Sequence, residues 1–251
     1  MTLEAFRDGA AFYDALFDPA ARAEREGPFL RRMLEEAPGG RVVDIACGTG
    51  FHARLLAEMG ATVDAFDLSE AMLARARHAR SHPRIRYVAA DMSRLNGGPW
   101  DLALCLGNSL ALLPDAAALR ETFEAVARSL APGGRFVVQV LNYARHIPGK
   151  AAHSVFTKDV DGVRVTAVKN LVPADGVTFL NLGFFAQAGG ETVRVGETAV
   201  LRHLGERVLR ETATAVGLQT VGVFGGLTGE PLNPEQSTDV VMVLVKPLSA
   251  G

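Results

Sequence analysis

A chain of 251 residues, 48% hydrophobic and 22% charged, suits one large α/β domain or a core domain carrying a substantial insertion. A net charge of −2 without a strongly basic block gives no electrostatic footprint for a nucleic acid. No apolar run approaches membrane-spanning length, and M-T-L-E-A-F-R-D at the amino terminus is too polar for a signal peptide. With only Cys47 and Cys105 as thiols, a reducing, cytoplasmic location is expected.

Residues 1–37 read as a helical cap: Phe6, Phe12, Tyr13, Leu16 and Phe17 cluster apolar bulk, and a second helix carries Phe29, Leu30, Met33 and Leu34 toward Pro38-Gly39-Gly40. Strand and helix signals then alternate. Val42–Ala46 is strand-like, Phe51–Met59 helical, and Ala61–Phe66 a strand, with Ser69 as N-cap of a helix over Ala71–Arg80. Ile85–Ala89 and Leu102–Leu106 are further buried-strand runs. The helix Asp115–Leu130 stops at Ala131-Pro132-Gly133-Gly134, before a strand over Arg135–Leu141. This alternation predicts a parallel sheet covered on both faces, with the loops that follow its strands gathered along one carboxyl edge.

After Asn142 the period changes to two. Segments beginning at Val163, Val177 and Glu191, separated by Asp161-Gly162, Asp175-Gly176 and Gly189-Gly190, predict a small antiparallel sheet over 142–202, inserted into a core of 1–141 and 203–251. A helix returns at Glu206–Val216, stopped by Gly217. The last strands, Gln219–Phe224 and Thr238–Val245, have no helix between them and are expected as an antiparallel pair at a sheet edge.

The chemistry is concentrated at strand ends. V-V-D-I-A-C-G-T-G puts Asp44, Gly48 and Gly50 where bare backbone approaches a ligand. Gly48-x-Gly50-x-x-Ala53 fits a dinucleotide fingerprint, which an NAD(P)-dependent oxidoreductase would use. Asp44, however, is an acid where a pyrophosphate wants none. Asp67 in A-F-D-L-S can accept from both ribose hydroxyls, and Asp91 in A-A-D-M can accept from an adenine amino group beside Met92. Acids at successive strand ends suit a ligand with a ribose, an adenine and positive charge, as S-adenosylmethionine has.

D-I-A-C-G-T-G, F-D-L-S, A-D-M, C-L-G-N-S and A-P-G-G-R together resemble the class I S-adenosylmethionine-dependent methyltransferases, over nearly the whole chain. That resemblance implies a Rossmann-like, mostly parallel seven-stranded sheet closed by an antiparallel terminal hairpin, with the inserted sheet as a lid. It implies that Asp44 and the turn Ala46, Cys47, Gly48 and Gly50 face the methionine part. Asp67 would hold the ribose, and Asp91 and Met92 would meet the adenine, with Leu68 and Leu106 alongside. C-L-G-N-S-L-A-L-L-P-D followed by Asn142-Tyr143 is similar to the glycine and sarcosine N-methyltransferase branch. From that branch Asn108 is carried over as a substrate-orienting residue, Arg22 as the partner of the cofactor carboxylate, and Tyr13 as an amino-terminal lid residue. Tyr143 is the candidate lid-side aromatic, able to wall the pocket and accept from an amine, and His146 in N-Y-A-R-H, after the predicted fifth strand, is a candidate to face the substrate. His52 reads as a capping or packing residue, and His78, His82, His153 and His203 show no metal-ligand spacing, so no metal is expected.

One departure bears on the substrate. The glycine enzymes of the branch carry an arginine directly before the N-Y pair, where this chain has Leu141, and leucine cannot grip a carboxylate. A larger or less anionic amine is expected, or another cation such as Arg145, Lys150 or Lys158. The expected partner is a small-molecule methyl acceptor, not nucleic acid or membrane, with homo-oligomerisation open. N-methylation is favoured by the G-N-S and N-Y pairs. O-methylation with a general base, the oxidoreductase, and a non-catalytic binding protein on the same fold are the other readings.

Overall fold

The computed structural model describes Leu3 and residues 9–248; Phe6 and the Leu16 side chain lie outside the described residues. The core sheet is built from β1 (Arg41–Ile45), β2 (Thr62–Asp67), β3 (Ile85–Ala89), β4 (Trp100–Cys105), β5 (Leu130–Leu141), β10 (Gln219–Phe224) and β11 (Asp239–Val245). Its order is β10–β11–β5–β4–β1–β2–β3; β11 is antiparallel to both neighbours and the other pairs are parallel. This is the Rossmann-like sheet with a reversed terminal hairpin that the sequence implied. The order reverses between β1 and β4, the topological switch point where open α/β sheets take ligands at their carboxyl ends.

Helices α1 (Ala10–Leu16), α2 (Pro19–Glu35), α3 (Phe51–Glu58), α4 (Glu70–Ala79), α5 (Ala116–Ser129) and α6 (Glu206–Ala215) accompany the strands. Their starts follow local chemistry. Asp18 accepts from the Ala20 and Ala21 N–H groups with Pro19 opening the helix, Ser69 accepts from Met72, and Asp115 accepts from Ala118. Gly217, at φ 81°, takes the left-handed conformation that ends α6. The central parallel strands β1 and β4 bury nearly every side chain, and Val42, Val43, Ile45, Leu102, Leu104, and Val137 and Val138 of the neighbouring β5 are all fully buried. Asp64, at the amino half of β2, is taken up structurally: it accepts from Trp100 Nε1 at 2.9 Å and Arg86 Nε at 2.8 Å. Among the described residues no helix is long and apolar enough to cross a membrane.

A second, four-stranded antiparallel sheet comprises β6 (Ala152–Val160), β7 (Val163–Ala174), β8 (Val177–Ala188) and β9 (Glu191–Arg202), in chain order. The hairpins turn at Asp161-Gly162 (φ 50° and 81°), Asp175-Gly176 and Gly189-Gly190 (57° and 85°). The sequence expectation of three strands omitted β6. That edge strand is exposed along almost all of its length, so no buried alternation marks it. The start of β5 also differs from expectation. Leu130 already pairs with Trp100, and Ala131-Pro132-Gly133-Gly134 forms an irregularity before the ladder resumes at Arg135, rather than a separate stop.

The inserted sheet has its own small core. Ala11, Phe12 and Ala15 of α1 pack on Val163, Val165, Ala167, Phe184 and Ala186, with the Phe12 and Phe184 rings stacked at 5.0 Å. The same helix is tied to the core domain. Asp14 bridges Arg75 (2.7 Å) and Arg80 (2.6 Å) of and after α4, and Arg80 Nη1 donates to the Thr49 carbonyl of the glycine turn. Helix α1 thus joins the inserted sheet to the wall of the carboxyl edge.

Candidate active site

Between β1 and α3 the chain must turn sharply, and three residues adopt positive φ to do so: Ala46 (57°), Gly48 (56°) and Gly50 (81°). At Gly50 a Cβ would sit 2.5 Å from the Tyr87 hydroxyl, so glycine is required there on both counts. The turn is held from β2: Cys47 N–H donates to the Phe66 carbonyl at 2.9 Å, and Gly48 N–H donates to Asp67 Oδ2 at 2.8 Å. Asp67 Oδ1 accepts from Ser69 N–H, so each oxygen uses one acceptor site on backbone and keeps another.

Asp44 is the unusual member. It is 1% exposed, and its Oδ2 is the one buried side-chain polar atom among the described residues with no hydrogen-bond partner. Burial raises its pKa to about 7 and the nearby Asp67 charge adds to this, against the Ala53 N–H at the α3 amino end and Arg22. An orphaned carboxylate oxygen at the foot of a glycine turn is a costly arrangement that a cationic, hydrogen-bonding group relieves. The ammonium of a bound S-adenosylmethionine has that chemistry, and a pyrophosphate has the opposite one. The donor set therefore fits the group that the sequence implied.

After β3, Asp91 accepts from the Ser93 N–H and hydroxyl, both at 2.8 Å, and these hold it below the usual carboxylate range. Both contacts fall on Oδ1. Leu68 is 76% exposed beside Asp67, while Met92 packs against the core and Leu106 is buried at the end of β4. The thiols of Cys47 and Cys105 are both pushed up by burial and then by Asp44 and Asp67, which makes them inert packing groups.

Arg22 extends from α2 toward this end. Its Nε donates to Glu26 at 2.9 Å, Nη2 lies 3.3 Å from His52 Nε2, and the guanidinium covers the Phe51 ring at 4.6 Å. Burial alone would raise Glu26, but His52 and Arg22 outweigh it and hold the acid at about 2. His52 is pushed down by burial, so the neutral ring donates to Glu26 at 2.8 Å. Tyr13 sits elsewhere: its hydroxyl donates to Glu197 at 2.6 Å and its ring packs on Phe184, on the inserted sheet. Among the described residues no hydrogen bond joins Tyr13 to the glycine turn.

Over β4 and β5 the edge is built differently. Asn108 takes a left-handed conformation (φ 69°) after β4, and its Oδ1 accepts from Leu141 N–H and the Tyr143 hydroxyl, both at 2.9 Å. What it leaves for a ligand is the Nδ2 donor. Tyr143 is 6% exposed, and burial pushes its phenol up to about 12 against the Asn108 bond. His146 follows on the same short turn, its Nδ1 2.9 Å from Thr178 Oγ1. Sequence reasoning did not single out Thr178 or assign His203 to the site. They reach this place only because β8 and β9 fold back, and no local spacing signals it. Of the cations considered in place of an arginine at Leu141, Arg145 is bonded to the Gln236 and Ser237 carbonyls, whereas Lys169 of β7, not among them, acts electrostatically on His146.

Residues 42–134 match a family model described as a methyltransferase domain. A glycine/sarcosine N-methyltransferase of Parasynechococcus marenigrum (strain WH8102) is 39% identical over 145 residues, 56% of this chain and 51% of that protein. The chain spans about half the length of the curated relatives it matches. A solved S-adenosylmethionine-dependent methyltransferase from Clostridium acetobutylicum ATCC 824 superposes with a TM-score of 0.79 at 22% identity, covering 96% of this chain and 99% of that one. An S-adenosylmethionine-bound amino pentose methyltransferase from Micromonospora echinaspora gives 0.73 at 25% identity, over 94% and 95% of the two chains.

Proposed function

From the premise that this chain carries a class I S-adenosylmethionine-dependent methyltransferase domain, we propose that it transfers a methyl group from S-adenosylmethionine to the amine of a small molecule. The observation that carries this reading is Asp44: a fully buried carboxylate with an orphaned oxygen, beside a turn of backbone N–H groups and next to Asp67. When bound, S-adenosylmethionine supplies an electrophilic methyl on a sulfonium, open to in-line displacement by a lone pair. The residues of the chain bind, orient and exclude water. Asp44 meets the ammonium, Arg22 the carboxylate, Asp67 the ribose hydroxyls, and Asp91 with Met92 the adenine, flanked by Leu68 and Leu106.

On the acceptor side, Asn108 and Tyr143 form one hydrogen-bonded unit whose free Asn108 Nδ2 donates to an oxygen of the acceptor. Such positioning supplies roughly 7–11 kcal/mol in well-oriented model reactions. Residues 142–202 act as the substrate-side lid. The N-methyltransferase and amino pentose methyltransferase names among the similar proteins support an amine acceptor. Leu141, in place of a carboxylate-gripping arginine, argues against glycine itself. The test is transfer of labelled methyl from S-adenosylmethionine to a panel of amines, alcohols and carboxylates. Labelled secondary or tertiary amine product is expected, and labelling confined to alcohols or carboxylates would overturn N-methylation.

A further inference from the structure

At the seam between β5 and the inserted sheet, side chains from three separate segments form one connected unit. Tyr143 and His146 come from the turn after β5, Thr178 from the start of β8, and His203 from just beyond β9. Thr178 is fully buried, and its Oγ1 lies 2.9 Å from His146 Nδ1 and 2.9 Å from His203 Nε2. The Tyr143 ring stacks on His203 at 4.7 Å and 21°, meets His146 edge-on at 5.0 Å, and sends its hydroxyl to Asn108.

A hydroxyl between two imidazoles donates to one and accepts from the other, so the unit has a direction. In one direction His203 Nε2 accepts from the Thr178 hydroxyl, which requires the His203 proton on Nδ1. In that direction the Thr178 oxygen accepts from Nδ1–H of His146, which leaves the His146 lone pair on Nε2. That nitrogen makes no hydrogen bond to any described residue, and the ring is partly exposed.

Both rings are neutral at pH 7. Burial lowers His146 first, followed by His203, by Lys169 from β7 and by Arg145 of its own turn, while Tyr143 packs on its edge. Burial likewise lowers His203, against a hydrogen bond to the Val177 backbone. No carboxylate is among the groups acting on His146, so nothing traps a proton there once it arrives.

We propose that His146 takes the proton released by the acceptor amine, and that Thr178 and His203 are positioning residues that hold it in the tautomer with Nε2 free. The proposal rests on the methyl-transfer reading above. As the nitrogen lone pair forms the N–CH3 bond, the S–CH3 bond breaks with its electron pair passing to sulfur, which leaves as the neutral thioether of S-adenosylhomocysteine. In the same transition state the N–H bond of the increasingly positive nitrogen breaks with its electron pair returning to nitrogen, and the proton bonds to His146 Nε2. The imidazolium passes it to solvent and returns to neutral. Positioned bases of this type contribute about 100-fold to 10,000-fold.

Nitrogen-15 spectra of histidine-labelled full-length protein test the arrangement without any ligand. His146 is expected as the Nδ1–H tautomer, titrating below the ordinary histidine range. Thr178→Val is expected to erase the tautomer preference, and Thr178→Ser to restore it. An Nε2–H tautomer in the wild type would overturn the proposal. Kinetics follow with S-adenosylmethionine and the secondary amine that wild type methylates fastest. His146→Gln should lower kcat about 100-fold or more near neutral pH with the KM for S-adenosylmethionine unchanged. Thr178→Val should displace the acidic limb of the kcat profile, which a merely structural residue would not do. An unchanged profile in both variants sinks the relay while leaving the methyltransferase reading intact. Absence of any transfer by wild type sinks that reading and, with it, the role of His146.

Discussion

Over β1 to β3 the carboxyl edge carries Asp44, Asp67 and Asp91; over β4 and β5 it carries Asn108, Tyr143 and His146, with Thr178 and His203 brought in by the inserted sheet. The first half concentrates negative charge and leaves one carboxylate oxygen, Asp44 Oδ2, buried without a partner. The second half is neutral, and its polar groups satisfy one another through Asn108–Tyr143 and His146–Thr178–His203. The difference is one of state. On the proposed reading the donor half is completed by a cationic ligand, whereas the acceptor half is already organised and presents Asn108 Nδ2 and His146 Nε2 to the acceptor. A site that binds a cationic donor and then disposes of a proton needs both characters, kept apart.

Breaking the donor half should have the largest effect. Asp44→Asn is expected to weaken S-adenosylmethionine by about 2–5 kcal/mol, the range for losing one partner of a buried charge pair. Equilibrium titration reads this directly, and an affinity within about 0.5 kcal/mol of wild type would dissolve the distinction between the halves. Asp67→Ala should cost about 1–3 kcal/mol of the same affinity, with Asp67→Asn intermediate because an amide oxygen still accepts from Gly48 or Ser69.

The asymmetry also has a pH signature. Asp44 has a raised pKa in the folded chain, about 7, so the ligand-free protein loses stability as pH rises from the ordinary carboxylate range through about 7. Thermal melts should show Asp44→Asn gaining on wild type between those limits, with the gap constant above them. A gap that shrinks as pH rises would contradict the buried-acid account. The smallest effect belongs to the acceptor half. Tyr143→Phe removes one hydrogen bond to Asn108 and should cost about 0.5–1.5 kcal/mol in denaturant unfolding while leaving S-adenosylmethionine affinity unchanged. Loss of that affinity in Tyr143→Phe would show that the halves are not independent.

The same division governs what can be read from the chain. The donor half is local: Asp44, the Ala46–Gly50 turn and Asp67 lie within one strand–turn–helix–strand unit, and glycine and acid at fixed offsets report it. The terminal hairpin was legible because two strands without an intervening helix leave little choice of pairing. The acceptor half depends on chain return. Thr178 and His203 meet His146 across 32 and more residues of hairpin, and a buried threonine or a histidine at a strand end carries no spacing signal. Strand β6 escaped notice because it lies exposed at an edge, and Lys169 because its neighbours along the chain do not reveal what its strand faces.

The central claim is that the glycine turn with Asp44 is built for an adenosyl sulfonium carrying an ammonium group, not for a dinucleotide. Calorimetric titration of the full chain with S-adenosylmethionine, S-adenosylhomocysteine and NAD tests it most directly. The account predicts binding of the first two, no binding of NAD, and loss of S-adenosylmethionine affinity in Asp44→Asn. Binding of NAD without binding of S-adenosylmethionine would contradict it.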